Sequence, residues 1–105
     1  MQDRRGVVMV FYDLPMGTSA QRRHYTVFRK HLMREGFVQM QESLYVTLVH
    51  NISSFRQVEA RVKGFSPVHG TVQILCLNLN IFCTIKTFGK GGFDVAFFSD
   101  DIFFA

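Results

Sequence analysis

The residue pattern predicts an α+β domain: a four-stranded antiparallel sheet carrying two helices on one face, in the ferredoxin-like order βαββαβ. Three observations carry this expectation. An apolar run, Val7 to Tyr12, stops at Asp13-Leu14-Pro15. A capping signature, Thr18-Ser19-Ala20-Gln21, opens an amphipathic stretch that closes at Gly36. Strand-like and helical segments then alternate up to Thr71–Leu79, the most strand-like run of the chain.

Residues 7–12 read as the first strand, and Pro15 ends it by holding Leu14 out of helical geometry. The first helix follows Thr18, whose hydroxyl can accept from the third helical amide while Gln21 reaches back. It runs to about Glu35, with Gly36 as its stop. Tyr25, Phe28 and Leu32 are spaced by three and four, so they form one apolar stripe. Arg22, Arg23, Arg29, Lys30 and Arg34 sweep across the rest of the helix, with only Glu35 as an internal counter-charge. That face reads either as a solvated surface or as a surface for an anion.

Phe37–Gln41 reads as a short strand, Glu42-Ser43 as a bend, and Leu44–Val49 as the third strand. Capping oxygens between Asn51 and Ser54 open a second helix, in which Phe55, Val58 and Val62 keep helical spacing. Residues 64–70, with Pro67, read as a loop. Along Thr71–Leu79, Val72, Ile74 and Cys76 point one way and Leu75, Leu77 and Leu79 the other. Apolar residues on both faces predict a central strand. Two helices cover one face of such a sheet, and the bare second face predicts a homodimer through the sheets.

Residues 80–87 read as a short helix or turn, residues 89–92 as a basic glycine loop, and residues 93–98 as an additional C-terminal strand pairing at a sheet edge. The expected division is a core over 1–79 and an extension over 80–105. The 105 residues contain 12 Phe and no Trp. Phe93, Phe97, Phe98, Phe103 and Phe104 load the extension with apolar surface that calls for a docking partner. A net charge of +4 favours an anionic partner, nucleic acid first. No run approaches the roughly 20 apolar residues of a membrane helix. The apolar run after Arg4-Arg5 is too short for a secretory core, so a cytoplasmic protein with reduced Cys76 and Cys83 is expected.

Among reactive groups, Asp13 stands out at the carboxyl end of an apolar strand. It either caps the turn at Pro15 or holds a hydrated metal ion. Tyr12 faces the other way by alternation and is expected to pack. Ser43, in the bend, reads as a local hydrogen-bonder. His24, His31, His50, His69, Cys76 and Cys83 lack zinc spacing, and His24 and His31 read as surface or boundary residues of the first helix. The Gly89-Lys90-Gly91-Gly92 loop lacks the strand-to-helix context of a phosphate loop. Other acids are scattered, whereas metal chemistry on phosphodiesters wants two or more carboxylates. A two-fold dimer answers this by pairing two copies of Asp13, whose repulsion a divalent cation between them relieves. A small-molecule sensor, or a nucleic-acid-binding module without catalysis, is the remaining alternative, because this fold hosts many functions.

Three motifs occur in order: Phe11-Tyr12-Asp13-Leu14-Pro15; then Arg22-Arg23, Tyr25, Phe28-Arg29-Lys30 and Leu32; then Gly36-Phe37, Gln41 and Ser43-Leu44-Tyr45. Over residues 7–79 the chain resembles the small CRISPR-associated endoribonuclease family, the second CRISPR-associated protein, in the style of its type II branch. The resemblance implies a ferredoxin-like homodimer completed by C-terminal strands. It implies a metal-dependent nuclease, with Asp13 from each protomer around Mg2+. It implies a place at the centre of a complex with the CRISPR integrase subunit, holding double-stranded protospacer DNA before insertion into the array. Single-stranded RNA is the second candidate substrate. On this reading Asp13 is catalytic and metal-binding, and Arg22, Arg23, Arg29, Lys30 and Arg34 contact nucleic acid.

Overall fold

The chain forms a four-stranded antiparallel sheet of order β2-β3-β1-β4 with its two long helices on one side. A computed structural model describes residues 4–89. The elements are β1 (Gly6–Asp13), α1 (Ser19–Arg34), β2 (Val38–Gln41), β3 (Leu44–Val49), α2 (Phe55–Phe65), β4 (Thr71–Asn78) and α3 (Leu79–Phe82). The ferredoxin-like arrangement expected from the sequence is the one observed. The strand expected at 93–98 lies outside the described residues.

Local chemistry sets the element ends. Thr18 accepts from the Gln21 amide at 3.1 Å, and the Gln21 side chain accepts from the Thr18 amide at 3.0 Å, which closes the capping box. Gly36 takes φ 93°, a conformation that releases the chain from α1 into β2. The Asn51 side chain accepts from the Ser54 amide and opens a 3-10 turn, Ile52–Ser54, that leads into α2. Gly64 lies inside α2 rather than in the loop expected from residue 64. Phe65 keeps the last turn helical by packing on Phe28, 5.6 Å between ring centroids, and stacking on His31 at 4.8 Å.

The helix side of the sheet holds the larger core. Val8, Val10 and Tyr12 of β1, with Tyr45 and Val49 of β3, meet Phe28 and Leu32 of α1 and Val58 and Val62 of α2. Each such side chain contributes about 1.5–3 kcal/mol by leaving water. The spacing that predicts each helix therefore also names its buried face.

Two expectations need correction. Among the described residues, β4 is an edge strand, hydrogen-bonded to β1 alone, and not a central one. None of its side chains is buried, and Leu75 on the second face is 42% exposed, so apolar residues on both faces do not by themselves mark a strand with neighbours on each side. The second face is also not bare. Just after β4 the chain turns back, with the Leu79 amide donating to the Arg5 carbonyl at 3.0 Å. Leu79 and Phe82 of α3 then pack on Val7, Met9, Leu44 and Val46 to make a second core. This cover is small, and Phe11, Val38, Met40, Leu48 and Leu77 around it remain half-buried.

Candidate functional site

Asp13 is the last residue of β1 and pairs with Thr71 of β4. Side chains alternate along a strand, and Tyr12 is buried on the helix side, so Asp13 leaves the sheet on the opposite side. Its carboxylate is exposed and has no hydrogen-bond or ion-pair partner among the described residues. It does not cap the following turn; Thr18 performs that task for α1.

The backbone under Asp13 is held closely. Gly70 has φ 91°, and a Cβ there would lie 2.6 Å from the Asp13 carbonyl oxygen and 2.8 Å from Leu14 Cδ2. Only glycine allows the loop before β4 to close over the end of β1 in this way. Tyr12 packs as its alternation predicts. Its ring meets Phe28 edge-on at 5.2 Å and Tyr25 at 5.7 Å, and its hydroxyl donates to the Glu42 carbonyl at 3.0 Å. Burial pushes the Tyr12 phenol far above its usual pKa, so it stays neutral. Burial also pushes the Cys76 thiol up, away from the thiolate a nucleophile needs.

No group of three or more His, Cys, Asp or Glu side chains converges among the described residues. One chain thus offers a single oxygen-donor group at the end of β1. An exposed carboxylate of this kind is a donor type that suits a hard divalent cation such as Mg2+, which takes one or two carboxylates from protein and keeps several waters.

Arg22, Arg23, Arg29, Lys30 and Arg34 are all exposed on α1. They are not equivalent. The Arg22 guanidinium folds back to donate to the Met16 carbonyl at 3.2 Å and the Gly17 carbonyl at 3.5 Å, fastening the β1–α1 loop. Arg29 Nε donates to the hydroxyl of buried Tyr45 at 2.6 Å. This hydrogen bond raises the Arg29 pKa further and pins the head group beside the sheet. Arg23, Lys30 and Arg34 have no hydrogen-bond or ion-pair partner among the described residues. Glu35, the acid closest to them in sequence, pairs with Arg61 of α2 at 2.5 Å. The cationic stripe is therefore left without its expected counter-charge.

Among the described residues no ion pair or hydrogen bond joins Asp13 to an α1 cation, and the strand alternation turns Asp13 away from the helix side. Gly70 escaped the sequence reading, although a glycine directly before a strand is a signal of close approach. The Arg29–Tyr45 link also escaped it, since nothing local marks two residues 16 positions apart as partners.

The fold and these groups define a small ferredoxin-like protein with one exposed carboxylate at a strand end and a cationic helix on the other side. The family described as "CRISPR associated protein Cas2" matches residues 7–81, and the chain belongs to it. It is 43% identical over 70 residues to the CRISPR-associated endoribonuclease Cas2 of Ligilactobacillus salivarius (strain UCC118), covering 67% of this chain and 69% of that protein. It is 38% identical over 68 residues to the CRISPR-associated endoribonuclease Cas2 of Treponema denticola, covering 65% and 67%. A crystal structure of Streptococcus pyogenes Cas2 at pH 6.5 superposes with a TM-score of 0.57 at 20% identity, over 79% of this chain and 99% of that one. That likeness is one of fold. Membership gives the chain a CRISPR-associated role and does not favour a small-molecule sensor. Among the described residues, no helix is long and apolar enough to cross a membrane.

Proposed function

We propose that the chain is a dimeric scaffold of CRISPR adaptation, holding double-stranded protospacer DNA beside the integrase subunit. The observation that carries this reading is the exposed cationic face of α1, whose neighbouring acid is already taken by Arg61. Such a face contacts phosphates and reads no bases. Two copies joined through the half-covered second face turn both α1 helices outward. Binding of short duplexes, followed by fluorescence anisotropy, is expected to be indifferent to sequence and to fall steeply with salt. Replacing Arg23, Lys30 and Arg34 by Ala should reduce the salt slope by about three. A variant that binds with the wild-type salt slope would overturn the reading. Removal of residues 93–105 is expected to abolish co-purification with the integrase subunit.

A second reading is favoured by the unpartnered carboxylate at the strand end. The relatives above carry the name endoribonuclease, and a phosphodiesterase of this kind would hold Mg2+ between two copies of Asp13. The bound ion supplies an activated water and stabilises charge on the phosphoryl oxygens. The chain itself contributes the carboxylates and the Gly70 contact that seats the strand end. Asp13→Asn is expected to abolish Mg2+-dependent cleavage of single-stranded RNA and duplex DNA and to leave duplex binding intact. Equal cleavage by both proteins removes the nuclease reading and leaves the scaffold standing.

A further inference from the structure

His24, on α1, and His69, in the loop between α2 and β4, line the same small cavity, although 45 positions separate them in the chain. Leu14, Pro15, Gln21 and Pro67 complete its wall, and its volume is about 10 Å3. That is the room of about one water-sized probe, so an ion seated there would keep its remaining waters on the exposed side. Both histidines are exposed, so an ion can reach them from solvent without opening the fold. Neither imidazole has a hydrogen-bond partner among the described residues, which leaves ring nitrogens free to ligate.

We propose that His24 and His69 form a two-histidine site for a borderline divalent transition metal such as Zn2+ or Cu2+, with water completing the coordination. Neutral imidazole suits these ions and not Mg2+, which prefers oxygen donors. The apolar part of the wall comes from Leu14, Pro15 and Pro67, and it limits competition by bulk water on that side. An ion held here cross-links α1 to the loop before β4. His69 directly precedes Gly70, the residue seated against the Asp13 carbonyl. Occupancy therefore stiffens the support of the strand end without using the Asp13 carboxylate. The site is distinct from the two-copy Asp13 site proposed above and stands or falls separately.

The test is a Zn2+ titration of the full chain followed by thermal unfolding. Zn2+ should raise the unfolding midpoint saturably. His24→Ala and His69→Ala should each abolish the rise. His50→Ala, at the opposite end of the sheet, and Asp13→Asn should keep it. Sub-stoichiometric Cu2+ should broaden the imidazole proton resonances of His24 and His69 and spare those of His50. The proposal is overturned by the absence of a rise, by a rise that survives either His24→Ala or His69→Ala, by its loss in Asp13→Asn, or by broadening elsewhere. Failure of duplex binding or of Mg2+-dependent cleavage leaves this result untouched, so the two readings fail separately.

Discussion

The two faces of the sheet are built to different standards. On the helix side, aromatic rings from three elements interlock: Tyr12 with Phe28 and Tyr25, and Phe28 with Phe65. On the other side, a four-residue helix brings two apolar side chains down onto a sheet whose remaining residues stay half-buried. The first face is a core of buried, interlocking side chains. Among the described residues the second is only partly covered, with Asp13 at its end. Among the described residues, the larger core lies on one face, and the other carries a smaller core rimmed by half-buried apolar residues.

The largest expected effect separates the faces directly. Phe28 and Phe82 are almost equally buried, at 1% and 2% exposure. Phe28→Ala opens a void among packed rings and is expected to cost about 3–5 kcal/mol in denaturant unfolding. Phe82→Ala should cost no more than the lower end of that range, because a one-turn helix can reseat. It should instead change the oligomeric state measured by light scattering. A Phe82 variant that loses as much stability as Phe28→Ala and keeps its association would break the contrast.

Gly70→Ala probes the junction of the two faces, where the loop closes over the end of β1. A left-handed conformation costs a non-glycine residue about 1–3 kcal/mol. The added methyl also meets the Asp13 carbonyl, so the strand end must shift. Under the proposed nuclease reading, loss of Mg2+-dependent cleavage out of proportion to the loss of stability is the expected signature. A variant that unfolds at the wild-type midpoint would show that the contact is soft.

The fold was legible in the sequence where the signals were local. The Thr18–Gln21 box, the Gly36 stop, the Leu44–Val49 strand and the three-and-four spacing of Tyr25, Phe28 and Leu32 all appear as expected. Strand neighbours were not legible in the same way. Apolar residues on both faces suggest a central strand, yet among the described residues β4 pairs only with β1 and none of its side chains is buried. The cover from α3 depends on a reversal at Asn78–Leu79 whose partner, the Arg5 carbonyl, is distant in sequence. At the site, the exposed cations could be read from α1 periodicity. Their inequality could not, because it rests on Met16, Gly17 and Tyr45 as acceptors.

The smallest expected effect sharpens the contrast through charge alone. Glu35 pairs with Arg61 at the surface, and removing such a pair costs at most about 1 kcal/mol. Glu35→Gln keeps the shape of the side chain and releases Arg61 from its carboxylate. Because both residues belong to the helix side, the change leaves the apolar second face unaltered. Duplex affinity at low salt should rise and the salt slope should steepen by about one phosphate contact. The self-association constant, measured on the same samples, should stay at its wild-type value. A shift in association without a shift in duplex binding would mean that the helices, and not the sheet face, carry the proposed self-association, and the division of labour between the two faces would have to be reversed.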